Sequence, residues 1–151
     1  MPGTEPERAL VRCRDWLRAQ PGELAASGVA LCSAALRGDP LDAACPQPPA
    51  ELPADLAGLD DAVVLDGLLV AAVRADDLAT GAVLLRTALL AGEAHRPTVT
   101  RAVDLLLVSA RDDGGFGVTW RGEAGAERVP VTVDCAWALA EYHRQSVGGK
   151  E

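Results

Sequence analysis

Carboxylates, thiols and imidazoles are the groups through which this chain could do chemistry, and the sequence distributes them unevenly. Adjacent acids occur at Asp60-Asp61, Asp76-Asp77 and Asp112-Asp113, and a further acid, Asp134, directly precedes Cys135. Asp-Asp-x-x-Asp is one pattern that can hold a magnesium-bound diphosphate, its hard oxygens sharing the cation. Asp66 follows Asp60-Asp61 at the wrong spacing for it. Asp60-Asp61 and Asp76-Asp77 stand where helices are expected to begin, where carboxylates satisfy free amides and complement the dipole. Asp112, Asp113 and Asp134 remain as the acids an enzyme would use. Zinc needs converging thiolate, imidazole and carboxylate ligands. Asp134 and Cys135, being adjacent, lie about 100° apart around a helix, and His143 belongs to the same short helix, so no metal-ligand set is assigned. Nor does any cofactor motif appear. His95, beside Arg96 and Pro97, reads as a solvated or capping residue, and a histidine base would want a nucleophile that the sequence does not offer.

The four cysteines, Cys13, Cys32, Cys45 and Cys135, form no close pair along the chain, which suggests neither a zinc knuckle nor a disulfide framework. Cys13 and Cys32 fall on apolar helix faces, where cysteine behaves as a small hydrophobe. Cys45, in a Pro-rich stretch, is the one expected to be accessible. Reduced thiols point to the cytoplasm, and so does an amino terminus that carries Glu5 and Glu7 but no apolar run. The longest apolar stretch, Ala62 to Val73, is broken by Asp66 and falls short of the ~20 residues a membrane span needs.

Composition narrows the classes further. The chain has 151 residues, 49% hydrophobic and 24% charged, which is the balance of one globular domain spanning 1–151. Its net charge of −8 opposes binding to phosphate backbones or anionic lipid, so neither nucleic acid nor a membrane is an expected partner. Ala and Leu dominate the apolar positions and strand formers are scarce, as in a helical protein.

Apolar residues recur with helical period in six segments. The first runs from Glu5 to Gln20 and ends at Pro21-Gly22, and the second, from about Glu23 to Arg37, is closed by Gly38-Asp39-Pro40. A Pro-rich crossover at about 38–59 follows, too rich in proline for a regular helix. The third helix, to about Ala75, is apolar on nearly every side and is expected at the centre of the packing. The fourth extends to about Gly92, and Pro97 opens the fifth, which reaches about Arg111. A Gly-rich turn and loop at about 112–130 leads to the sixth helix, with Thr132 placed to cap it. The pattern is all-α, about six helices in antiparallel hairpins.

The most informative stretch is Arg101-Ala102-Val103-Asp104-Leu105-Leu106-Leu107, then Asp112-Asp113-Gly114-Gly115-Phe116-Gly117, then Thr132-Val133-Asp134-Cys135-Ala136-Trp137-Ala138-Leu139. Paired glycines turn the chain sharply, Phe116 can plug an apolar gap, and Asp113 can bond back to free amides. This helix–turn–helix spacing resembles the repeat of terpenoid cyclases and protein prenyltransferase β subunits, whose helix pairs stack as an α/α toroid. A fainter echo, Arg12-x-x-Asp15-x-Leu17, matches Arg101-x-x-Asp104-x-Leu106, although Arg and Asp three apart also form ordinary surface ion pairs.

The resemblance implies part of a toroid, about half a ring, with an open apolar edge to be covered by a second copy or another protein. Departures limit it. Ser109 and Ala110 stand where the repeat usually has Gln, Phe116 stands where cyclase repeats often have Trp, and the cyclase Asp-x-Asp-Asp cluster is missing. Five aromatic residues are too few to line a carbocation pocket. The expectation is therefore a noncatalytic binding or assembly module whose apolar concave face, between the third, fifth and sixth helices, holds a peptide, a protein helix or an apolar small molecule. Phe116, Trp120 and Trp137 are its candidate ligand-binding residues. The alternative is an enzyme or enzyme subunit of isoprenoid or secondary metabolism, its cavity completed by a second chain, acting through Asp112, Asp113 and Asp134.

Overall fold

Leu10, Cys13, Trp16 and Leu17 recur at helical spacing and face inward, which makes the first helix, α1 (Glu5–Arg18), amphipathic. In the computed structural model five further helices follow: α2 (Glu23–Arg37), α3 (Ala62–Arg74), α4 (Leu78–Leu90), α5 (Pro97–Ser109) and α6 (Val129–Gly148). The structure describes residues 5–39, 62–75, 78–90, 96–111, 113–116 and 128–148. The protein is all-α, and among the described residues there is no strand.

The helix ends follow local chemistry. Gly38 adopts the left-handed conformation at φ 79°, so its amide and that of Asp39 bond back to the Ala35 and Ala34 carbonyls and end α2. Pro97, at the first turn of α5, gives up an amide that would have lacked a partner there. Helices α1 and α2 are joined by four residues and pack together, which forces a hairpin. Its closest approach is at Gly28, where an added Cβ would lie 2.7 Å from a Leu17 methyl and 2.9 Å from one of Val133.

Helix α6 is the centre of the packing. It contacts α1, α2, α4 and α5, and every residue from Cys135 to Glu141 is buried along it. This corrects the expectation that the third helix would be central. α3 packs on α4 and α5 and leaves Gly67, Val70, Ala71 and Arg74 exposed. An apolar sequence favours burial, but α6 carries small residues, Ala136, Ala138 and Ala140, that let helices approach it from several sides. Among the described residues no helix is long and apolar enough to cross a membrane.

Candidate functional site

The Asp113-Gly114-Gly115-Phe116 turn is built as a clamp. The Gly114 amide bonds to the Arg111 carbonyl and the Arg111 amide to that of Gly115, which closes the loop on itself. Gly114 has φ 97°, and any Cβ there would collide with the Arg12 carbonyl oxygen of α1. Asp113 Oδ1 accepts the Gly115 amide at 3.0 Å and, with Oδ2, a two-pronged bond from Arg128 at 3.0 and 2.8 Å. Arg128 is only 3% exposed; its Nε donates to the Phe116 carbonyl at 2.9 Å, and its guanidinium lies 4.9 Å above the Trp16 ring. The buried cation thus has a carboxylate, a carbonyl and an aromatic ring as partners. The Arg128 bonds hold the Asp113 carboxyl down to about 2.

Two expectations for this region meet the structure here. Phe116, a candidate ligand-binding residue, is fully buried beside α6. Thr132 does not cap α6, which starts three residues earlier. Its hydroxyl instead accepts the Phe116 amide at 3.0 Å and donates to the Phe116 carbonyl at 3.3 Å, replacing the ladder bonds that this buried turn lacks.

The other predicted acid has different neighbours. Asp134, half-buried on α6, has an Oδ1 with no hydrogen-bond partner, and burial raises its carboxyl to about 6 despite the nearby Arg86 cation. Arg86, from α4, sits 4.5 Å over the Trp137 ring, and Trp137 is only 7% exposed. One turn on, Glu141 is held low by bonds from Arg144 at 2.7 and 2.8 Å. Gln145 Nε2 donates to the Leu89 carbonyl at 2.8 Å, fastening α6 to the end of α4. Asp113 and Asp134 share no partner and form no common site. Asp112, Trp120, Cys45 and His95, and most of the Pro-rich crossover, lie outside the described residues.

Scattered in sequence, three cysteines meet in the core. Cys13, from α1, interacts with Cys32 of α2, with Cys135 of α6 close by; the hydrogen bond with Cys32 and burial raise the Cys13 thiol well above its usual range, and burial does the same for Cys135. All three are buried, and Cys13 and Cys135, held toward the protonated thiol, are in the opposite of a nucleophilic setting. His143 Nε2 lies 3.9 Å from Glu7, too far for a hydrogen bond. Among the described residues no group of three His, Cys, Asp or Glu side chains is placed to hold a metal.

An open groove lies elsewhere, between α3 and α5. Val70, Arg74, Pro97, Thr98 and Arg101 line a cavity of about 310 Å³. Val70 is 37% exposed, and its apolar surface continues through Ala71 and Gly67 on the same side of α3. Val11 and Val108 are exposed too, but Val11 stands beside Arg8 and Arg12, and Val108 beside Asp104 and Arg111. Arg74 and Arg101 have no ion-pair partner among the described residues, and the Arg101–Asp104 surface pair that their spacing allowed does not form. Sequence reasoning expected a concave face between the third, fifth and sixth helices but not this outward side of α3, because α3 was assigned to the interior. The signal was there in Gly67, Val70, Ala71 and Arg74, spaced as one helix face with only its last member polar. Compared with known proteins, the chain matches no family model, no curated protein and no solved structure.

Proposed function

We propose that this domain is a noncatalytic binding module that uses the outward side of α3 and its groove against α5 to hold a helix of a protein partner. The observation that supports this is the apolar stripe Gly67, Val70 and Ala71, exposed where a solvated helix carries polar residues. The groove lies between exposed residues of two helices, so it suits an element that brings its own solvated face better than a small ligand that must be enclosed. Selection of a displayed helical peptide library on the immobilised domain tests the reading. Enriched peptides should compete with one another and lose binding to Val70→Glu and Ala71→Glu variants. Peptides indifferent to both changes, or no enrichment, would refute it.

One observation favours the alternative, an enzyme or enzyme subunit acting on an apolar substrate such as an isoprenoid. Asp134, raised to about 6 with an unpartnered oxygen, has the proton affinity of a general acid near neutral pH. Product formed from an isoprenoid diphosphate by the wild type, and lost in a folded Asp134→Asn variant, would establish that reading instead.

A further inference from the structure

We infer that the helix held on this face is acidic, an amphipathic segment of another protein whose apolar side chains enter the α3–α5 groove and whose carboxylates meet Arg74 and Arg101. The inference rests on the docking reading above and adds the chemistry of the partner.

Three features carry it. The first is charge. Arg74 and Arg101 flank the apolar floor formed by Val70 and Pro97, and neither has an ion-pair partner among the described residues of a chain whose acids outnumber its basic residues by 22 to 14. Two cations with no ion-pair partner among the described residues beside one apolar groove select carboxylates, which accept bidentate guanidinium bonds. The net charge of −8 does not override this. At physiological salt, charges are felt over about 8 Å, so the nearest groups decide what docks.

The second is shape. Gly67, Val70, Ala71 and Arg74 span two turns of α3, about 10 Å. A Cβ added at Gly67 would meet nothing within 4 Å, so the space above this turn is free. With Gly67 and Ala71 in the contact, a second helix can approach at the short end of the 8–10 Å interaxial range. The third is polarity. Arg74 closes the apolar stripe at one end and Arg101 lies across the groove on α5, so the partner should read as a row of Leu, Ile or Val at i, i+3/i+4 and i+7 bordered by Asp or Glu.

The test uses the full chain and the same displayed helical library, now read for composition. Acidic residues flanking an apolar row should be enriched. The best peptide, labelled and followed by fluorescence anisotropy, should bind the Arg74→Gln/Arg101→Gln variant about tenfold more weakly. Raising the salt from about 0.05 to 0.5 M should weaken the wild-type complex and leave the double variant nearly unchanged. If the enriched helices are neutral or basic, and depend on Val70 but not on the arginines, the acidic partner is refuted while the docking face stands. Loss of both dependences would refute the two together. Displacement of the selected helix by a synthetic peptide of residues 40–61, which carries Asp42, Glu51, Asp55, Asp60 and Asp61, would give the groove to the chain's own segment and overturn the proposal. Concentration-dependent dimerisation that blocks the peptide would give it to a second copy, with the same consequence.

Discussion

Helices α1 and α3 each bury one side and leave the other to solvent, but their outward sides have opposite character. Around α1 the exposed positions are Glu5, Arg8, Val11, Arg12, Asp15 and Arg18, and Asp15 lies 3.3 Å from Arg14 and 3.9 Å from Arg18. Around α3, among the described residues, they are Gly67, Val70, Ala71 and Arg74. The first helix is also tied at its far end, where the Asp113–Phe116 turn presses on Arg12 and Arg128 stacks on Trp16. The contrast teaches that apolar sequence does not by itself fix burial: α3 buries Leu69 and Ala72 yet leaves Val70 and Ala71 exposed. The region near α1 is organised for stability, whereas the face of α3 is left available.

Substitutions in the two regions should therefore differ in size and kind. The largest effect is expected at Gly114. Alanine there must hold a positive φ and push against the Arg12 backbone, costing roughly 4 kcal/mol or preventing folding, as urea denaturation would show. Survival of Gly114→Ala with near-native stability would mean the turn is not a clamp.

Next comes Asp113→Ala, which leaves the buried Arg128 guanidinium without its carboxylate. Arg128 keeps the Phe116 carbonyl and Trp16, and Asp113 is itself 46% exposed, so a loss of about 2 kcal/mol is expected, less than for a fully enclosed pair. Because the folded Asp113 is depressed to about 2, its contribution is complete above about pH 4 and vanishes as the pH falls through 2. The variant's melting temperature should converge on that of the wild type in that range.

Asp134 acts with the opposite sign. Its folded carboxyl, raised to about 6, binds the proton more tightly than in the unfolded chain, so its charged form costs stability that grows as pH rises from about 4 to 6. With screening of a half-exposed group, Asp134→Asn should gain about 1 kcal/mol at pH 7.5, roughly 2–4 °C in Tm, and flatten that part of the pH profile. A stability loss would show that the ionised carboxylate has a favourable partner.

The smallest effect sharpens the comparison most. Gly67→Ala, in open space on α3, should stabilise the free domain by roughly 0.5–1 kcal/mol through helix propensity, yet weaken a closely packed partner helix. Gain in both stability and binding would show that the partner does not approach α3 at that turn.

Much of the fold was legible in local chemistry. Helical spacing, Gly38 at the end of α2 and Pro97 at the start of α5 mark boundaries that the structure keeps within a few residues, because capping and periodicity act over one or two turns. The turn at Gly114 was readable for the same reason. The site was less legible. Arg128 attracted no notice in the sequence, since nothing local distinguishes a buried arginine from a solvated one, and its partners Trp16 and Phe116 lie 112 and 12 residues away. The meeting of Cys13, Cys32 and Cys135 depends on three helices packing together and leaves no mark in their spacing.

By itself the sequence determined the helices, the ends marked by Gly38 and Pro97 and the sharp turn at Asp113–Phe116, since each depends on hydrogen bonds and side-chain sterics among near neighbours. Only the tertiary structure decided which helix became central and which kept an apolar side open. Hydrophobicity says that a surface gains by leaving water, but which helix occupies the centre depends on how closely backbones can approach. The small residues of α6 allowed that approach from several sides, and α3 was left at the edge with Arg74 and Arg101 beside its groove.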